Sequence, residues 1–149
     1  MRDLSKSLSF EHIAAQGLIR TIEKEVERVN KSGLICVALE QDGSSYPLGE
    51  QRELVLFRIF QETLNNTLKY AGAKHLKIML QYHADLFILT LEDDGSGFSS
   101  ETLENKNGSG LRNMENRAAM IGGTATINSS PGNGCNIKVV LNPLKQQLY

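Results

Sequence analysis

Cysteine is scarce in this 149-residue chain, which has only Cys36 and Cys135. They lie far apart, each inside an apolar, strand-like run, so neither a disulfide framework nor a cysteine-held metal is indicated. Two reduced core thiols are expected. Histidine is equally thin, and His12, His75 and His83 show no ligand spacing with one another or with cysteine. Net charge is −1, with 16 basic against 17 acidic residues, so no bulk field draws the chain to nucleic acid or to an anionic membrane. No stretch approaches the roughly 20 apolar residues of a membrane span, and no charged-then-apolar leader opens the sequence. The expectation is a cytoplasmic location without membrane contact, any anchor belonging to a longer parent protein. Internal repeats and low-complexity tracts are absent too.

What is present suffices for one domain with its own core, at 40% hydrophobic residues. Residues 10–31 set Ile13, Leu18, Ile19, Ile22, Val26 and Val29 at helical spacing, and Ser32-Gly33 closes that helix. Leu34–Glu40 reads as a short strand, ended by Gln41-Asp42-Gly43-Ser44 and the loop around Pro47. A strong helix is expected from Gly49 to Ala71. Leu76–Gln81 and Leu86–Leu91 read as strands joined by the turn His83-Ala84-Asp85. Residues 98–110 are polar and aperiodic, and a third helix from Leu111 to Ile121 is stopped by Gly122-Gly123. Thr124–Asn128 and Cys135–Leu141 read as the last two strands. Residues 1–9, with Leu4 and Leu8, read as the end of an upstream helix or linker. That leaves 10–143 as the domain and 144–149 as a tail. Hairpin-linked strands without βαβ alternation predict an α+β two-layer sandwich. Its mixed, mostly antiparallel sheet has about five strands, with about three helices on one face.

Four segments carry chemistry. Asp93-Asp94-Gly95-Ser96-Gly97 directly follows an apolar run, which puts two carboxylates and two glycines at a strand end. The glycines admit a ligand close to the backbone, and a carboxylate there can accept from an amino group such as that of adenine. The same residues are also ordinary turn chemistry. In the second helix Phe57, Phe60, Leu64, Leu68 and Ala71 form a stripe for the sheet, while Glu62, Asn66 and Lys69 stack on the opposite side. That trio is either a solvated face or a site. The start Leu54-Val55-Leu56-Phe57 is apolar nearly all round and calls for cover on both sides. Asn65-Asn66 are poor helix formers, and a locally broken rule points towards function. Gly108-Ser109-Gly110-Leu111 runs from a polar loop into a helix, where free N–H groups suit phosphates or merely start the helix. Pro131-Gly132-Asn133-Gly134 reads as a hairpin turn.

In order, Glu62-xxx-Asn66-xx-Lys69, Asp93-x-Gly95-x-Gly97, Gly108-x-Gly110-Leu111 and Gly132-x-Gly134 resemble the N, G1, G2 and G3 boxes of the GHKL ATPases. That superfamily joins gyrase-type and MutL-type ATPases with the ATP-binding domains of histidine kinases. Residues 58–71 and 108–118 resemble more closely the branch of sensor histidine kinases partnered with NarL/LuxR-type response regulators. The likeness covers residues 4–143.

The resemblance implies a role for each position. Asp93 would accept from the adenine amino group, with Gly95 and Gly97 in the turn clearing space for the ring and Asp94 supporting through bound water. Asn66 would be a Mg²⁺ ligand and Lys69 would neutralise phosphate charge. Tyr70, where the branch usually has histidine, would line the pocket. Gly108, Ser109, Gly110 and Leu111 would form the lid over the phosphates of ATP, and Gly132 and Gly134 would complete the nucleotide site. Glu62 would orient or partly deprotonate the attacking histidine, which in this family sits on a separate dimerisation domain. Departures are Cys135 where threonine usually follows the last glycine, a short lid of about ten residues, and no phospho-accepting histidine at the family's position, since His12 falls after it. The chain is therefore expected to bind Mg-ATP and to donate to a histidine elsewhere. Another GHKL ATPase or an anti-sigma-type serine kinase is the alternative. A non-catalytic docking domain would be expected to have broken boxes.

Overall fold

Alternating apolar residues build one five-stranded sheet in the order β1-β2-β3-β5-β4. The computed structural model describes residues 16–68, 74–95, 115–129 and 134–142. Strand β1 (Cys36–Asp42) runs parallel to β2 (His75–Tyr82). Antiparallel pairs then link β2 to β3 (Phe87–Asp93), β3 to β5 (Cys135–Leu141) and β5 to β4 (Gly123–Ser129). The β2–β3 hairpin closes where the His83 N–H donates to the Leu86 carbonyl at 2.9 Å.

Successive side chains in a strand point to opposite faces. One face therefore collects Val37, Leu76, Ile78, Leu80, Phe87, Leu89, Leu91, Ile137, Val139 and Leu141, all buried. The other face is more exposed and mixed, with Met79, Ile88 and Val140 half-buried, Lys77 3.4 Å from Glu40 and Asn136 donating to Glu92 at 2.7 Å. Helix α1 (Leu18–Ser32) buries Leu18, Ile22, Val26 and Val29 and ends at Gly33, whose φ of 76° is the left-handed cap that glycine favours. Helix α2 (Glu50–Asn66) carries Glu50 and Glu53 in its first turn, complementing the helix dipole. It buries Leu56, Ile59 and Phe60 completely, each contributing roughly 1.5–3 kcal/mol. Residues 115–120 are helical, and Ala118 and Ile121 are fully buried. The two-layer sandwich expected from the sequence is the observed architecture.

Three local expectations need correction. The first strand begins at Cys36 rather than Leu34, which is 73% exposed. Ile35 and Val37 are the inward residues there, so strand alternation turns Cys36 outward. It is an exposed free thiol rather than a core one, while Cys135 is half-buried. Helix α2 keeps α-helical form only to Asn66, and residues 67–68 continue in a wider turn. Widening the turn breaks the 3.6-residue phase, which leaves Leu68 38% exposed instead of in the core stripe. Residues 10–15 and 69–71 of the two expected helices lie outside the described residues, as does His12.

Strand β1 is a sheet edge, where unpaired backbone groups invite unwanted pairing. Asn30 of α1 covers part of it. Its Nδ2 donates to the Val37 carbonyl at 3.0 Å, and its Oδ1 accepts from the Val37 N–H at 2.7 Å.

Candidate functional site

The end of β3 lies beside the end of α2, and strand periodicity sorts the two adjacent carboxylates there. Asp93 is in register with Leu76 and Cys135, so it points to the helix-covered face and is 9% exposed. Its Oδ1 accepts from the Gly95 N–H at 2.9 Å and its Oδ2 from the Thr67 hydroxyl at 3.3 Å. Both donors are neutral, and no basic side chain contacts Asp93 among the described residues. Desolvating a carboxylate is costly unless donors compensate. The arrangement therefore suits a ligand that brings an N–H donor of its own, as adenine does.

Asp94 turns the other way. Its Oδ1 accepts from the backbone N–H groups of Lys74 at 2.9 Å and His75 at 2.8 Å, and its Oδ2 lies 2.7 Å from His75 Nδ1. The His75 backbone bond, then its imidazole, hold the carboxyl down at about 2. Both oxygens are thus committed to the start of β2, which makes Asp94 a tie between strands β2 and β3.

Glu62 and Asn66 are neither solvated nor fully buried. Glu62 is gripped from another element, with Arg117 Nη1 2.7 Å from its Oε2. Asn66 closes α2 one residue before Thr67, so its amide lies at the same helix end as the Asp93 contact. Among the described residues no cluster of three or more His, Cys, Asp or Glu side chains could hold a metal. A Mg²⁺ ion at Asn66 would therefore rely on phosphate and water for its other ligands, as that ion commonly does.

Gly134 has a structural task. Its φ is +71°, and a Cβ there would come within 2.2 Å of the Asp93 carbonyl oxygen. Only glycine lets β5 begin directly against the end of β3, and this close approach fixes where Asp93 sits. Lys69, Tyr70, Gly97, Gly108, Ser109, Gly110, Leu111 and Gly132 lie outside the described residues. Two contacts escaped the sequence reading. Thr67 gave no signal, being one hydroxyl beside the boxed residues. Arg117 stood in the stretch resembling the kinase branch without an assigned partner.

A cavity of about 430 Å³ opens at the other end of α2, lined by Gln16, Gly17, Leu18, Ile19, Ser45, Tyr46, Pro47, Gly49, Glu50, Glu53 and Tyr82. It is bordered by two acidic side chains and no basic one, which makes it unsuited to a triphosphate.

The sandwich and the buried carboxylate at the β3 end are features expected of a GHKL-type ATPase domain. Residues 51–145 match the family described as histidine kinase-, DNA gyrase B- and HSP90-like ATPase, and the chain belongs to that family. Relatives within it include histidine kinases. The chain is 34% identical over 134 residues to an uncharacterized sensor-like histidine kinase of Chloroflexus aurantiacus, covering 85% of this chain and 22% of that protein. It is 34% identical over 122 residues to the signal transduction histidine-protein kinase/phosphatase DegS of Brevibacillus brevis, covering 81% and 31%. The histidine kinase domain of the Erythrobacter litoralis EL346 blue-light-activated kinase shares the fold, with a TM-score of 0.66 at 18% identity, over 85% of this chain and 59% of that one. The chain thus spans a third or less of the length of these two relatives. None of the described helices is long and apolar enough to cross a membrane.

Proposed function

We propose that this chain is the ATP-binding catalytic domain of a two-component sensor histidine kinase. It binds Mg-ATP and donates the γ-phosphoryl group to a histidine on a dimerisation domain outside the chain. The intact kinase then passes the group to a NarL/LuxR-type response regulator, with this domain working in the cytoplasm. The observation that carries the reading is Asp93, a buried carboxylate held by neutral donors at the mouth of a glycine turn. Its role is to accept from the adenine amino group, and Thr67 and the Gly95 N–H orient it. Gly97 and Tyr70 are assigned to the base, and Gly132 with Gly134 to the nucleotide site.

Phosphoryl transfer asks the protein mainly for positioning and charge stabilisation. Asn66 offers an amide oxygen, a hard donor suited to Mg²⁺. Lys69 offsets phosphate charge, and Gly108, Ser109, Gly110 and Leu111 lend backbone N–H groups to the phosphates. Glu62 orients the attacking imidazole. The test is Asp93→Asn, followed by calorimetric titration with Mg-ATP. An amide presents a donor as readily as an acceptor, so binding should be lost while the fold stays intact by circular dichroism. Unchanged affinity would falsify the adenine role.

A further inference from the structure

Glu62 and Arg117 come from elements far apart in sequence, yet the fold brings Arg117 Nη1 to within 2.7 Å of Glu62 Oε2. Among the described ion pairs it is the one in which both side chains are less than a third exposed, at 32% and 26%. The pairs on α1, Arg20–Glu23, Arg28–Glu25 and Lys31–Glu27, are within-helix contacts made by exposed basic side chains, a kind that contributes little. A half-buried guanidinium–carboxylate bond between two elements is different. Charge-assisted and less screened by solvent than those surface pairs, it restrains both side chains. Arg117 takes only Oε2. Among the described residues Oε1 has no partner.

We propose that Arg117 is a positioning residue for phosphoryl transfer, clamping Oε2 of Glu62 so that Oε1 is presented to the incoming imidazole. This rests on the reading of Glu62 as the group that orients the attacking histidine. In the transfer step one ring nitrogen gives its lone pair to the γ-phosphorus and an N–P bond forms. The bond from that phosphorus to the bridging oxygen breaks, and ADP leaves with the electron pair. The N–H at the other ring nitrogen keeps its proton and donates to Oε1, whose negative charge offsets the positive charge growing on the ring. An untethered carboxylate samples several rotamers and seldom holds that geometry. Because Arg117 lies on the helical stretch 115–120, the bond also ties that stretch to the transferring group.

The test mixes the chain with a separately purified dimerisation domain carrying a phospho-accepting histidine and times transfer from radiolabelled ATP. Arg117→Gln should slow transfer at saturating ATP on the order of 100-fold, the cost of an ångström-scale misplacement, while ATP affinity stays within about threefold. Arg117→Lys should recover part of the rate. The Arg117→Gln/Glu62→Gln double variant should be no slower than Glu62→Gln alone, because the two groups act as one unit. In the chain alone, the Arg117 guanidinium N–H signals in NMR should exchange slowly in the wild type and rapidly in Glu62→Gln. Wild-type transfer by Glu62→Gln sinks the reading of Glu62 itself. The positioning role is overturned if Glu62→Gln is slow while Arg117→Gln is not. It is also overturned if Arg117→Gln loses ATP affinity and thermal stability in proportion to transfer. Rapid exchange at Arg117 in the wild type overturns it whatever the transfer rates.

Discussion

Replacing Gly134 by alanine separates the packing at the β3 end from the rest of the fold, because the molecule contains its own control. At Gly134 the backbone has φ +71°, and a Cβ would lie 2.2 Å from the Asp93 carbonyl oxygen and 3.2 Å from its carbon. Gly43, at the end of β1, has φ +80° and would place a Cβ 2.2 Å and 3.2 Å from the same two atoms of Tyr82. Holding alanine in the left-handed region costs about 1–2 kcal/mol, and relieving the overlap adds about 1–3 kcal/mol. Each variant should therefore lose about 2–5 kcal/mol, a fall in Tm of roughly 4–20 °C for a domain of this size. The two should diverge on nucleotide. Opening the contact moves the Asp93 backbone by around an ångström, enough to spoil hydrogen bonds that weaken steeply with distance and angle. Thermal unfolding with and without a Mg²⁺-bound, non-hydrolysable ATP analogue reads the difference. Wild type and Gly43→Ala should gain about 2.7 kcal/mol at a ligand concentration of 100 Kd, and Gly134→Ala should gain almost nothing. If Gly134→Ala keeps the wild-type shift, Gly134 does not set the Asp93 carboxylate. If Gly43→Ala loses the shift as well, the loss reflects general loosening of the sheet.

Three more outcomes are expected. Thr67→Val removes the hydroxyl at Asp93 Oδ2 without changing shape; a bond to a charged group at this long distance is worth about 1.4 kcal/mol, so calorimetry should show roughly tenfold weaker ATP binding. Adding Cys135→Thr, in register with Asp93, should restore part of that affinity, and Thr67→Val binding at wild-type strength would remove Thr67 from the site. Asn30→Ala uncovers Val37 on the β1 edge and should cost about 1–2 kcal/mol in urea unfolding, with no change in nucleotide affinity. At Asp94 the folded carboxyl titrates at about 2 rather than its usual 3.8, so the ionised form is the one the fold favours. Its contribution is complete above about pH 4 and lost as pH falls towards 2. Over that window Asp94→Asn should lose less stability than the wild type, and equal losses would show that the tie to His75 contributes nothing.

Local pattern was enough to read the architecture. The apolar runs of β2 and β3, the Phe57, Phe60 and Leu64 part of the expected helical stripe, and the glycine stops are written within a few residues of one another, so strand and helix periodicities were visible without the fold. Errors fell where a neighbour overrode the local signal. Cys36 looked like core because its run is apolar, but a strand covered on one face exposes alternate residues. Leu68 left its stripe because the helix widened after Asn66. The order of the boxes around Asn66, Asp93 and Gly134 was legible as a family resemblance, but what each residue does to its neighbours was not.

The linear chain decided which groups exist, namely two adjacent carboxylates at the end of β3, Glu62 and Asn66 on α2 and a glycine that opens β5. Three-dimensional packing decided how those groups divide the work. Pleating sent Asp93 inward to Thr67 and Asp94 outward to His75. Close approach of β5 assigned Gly134 to the Asp93 backbone, and docking of residues 115–120 gave Glu62 its cation. Such assignments depend on distances between segments remote in sequence, and those distances come into being only when the chain folds.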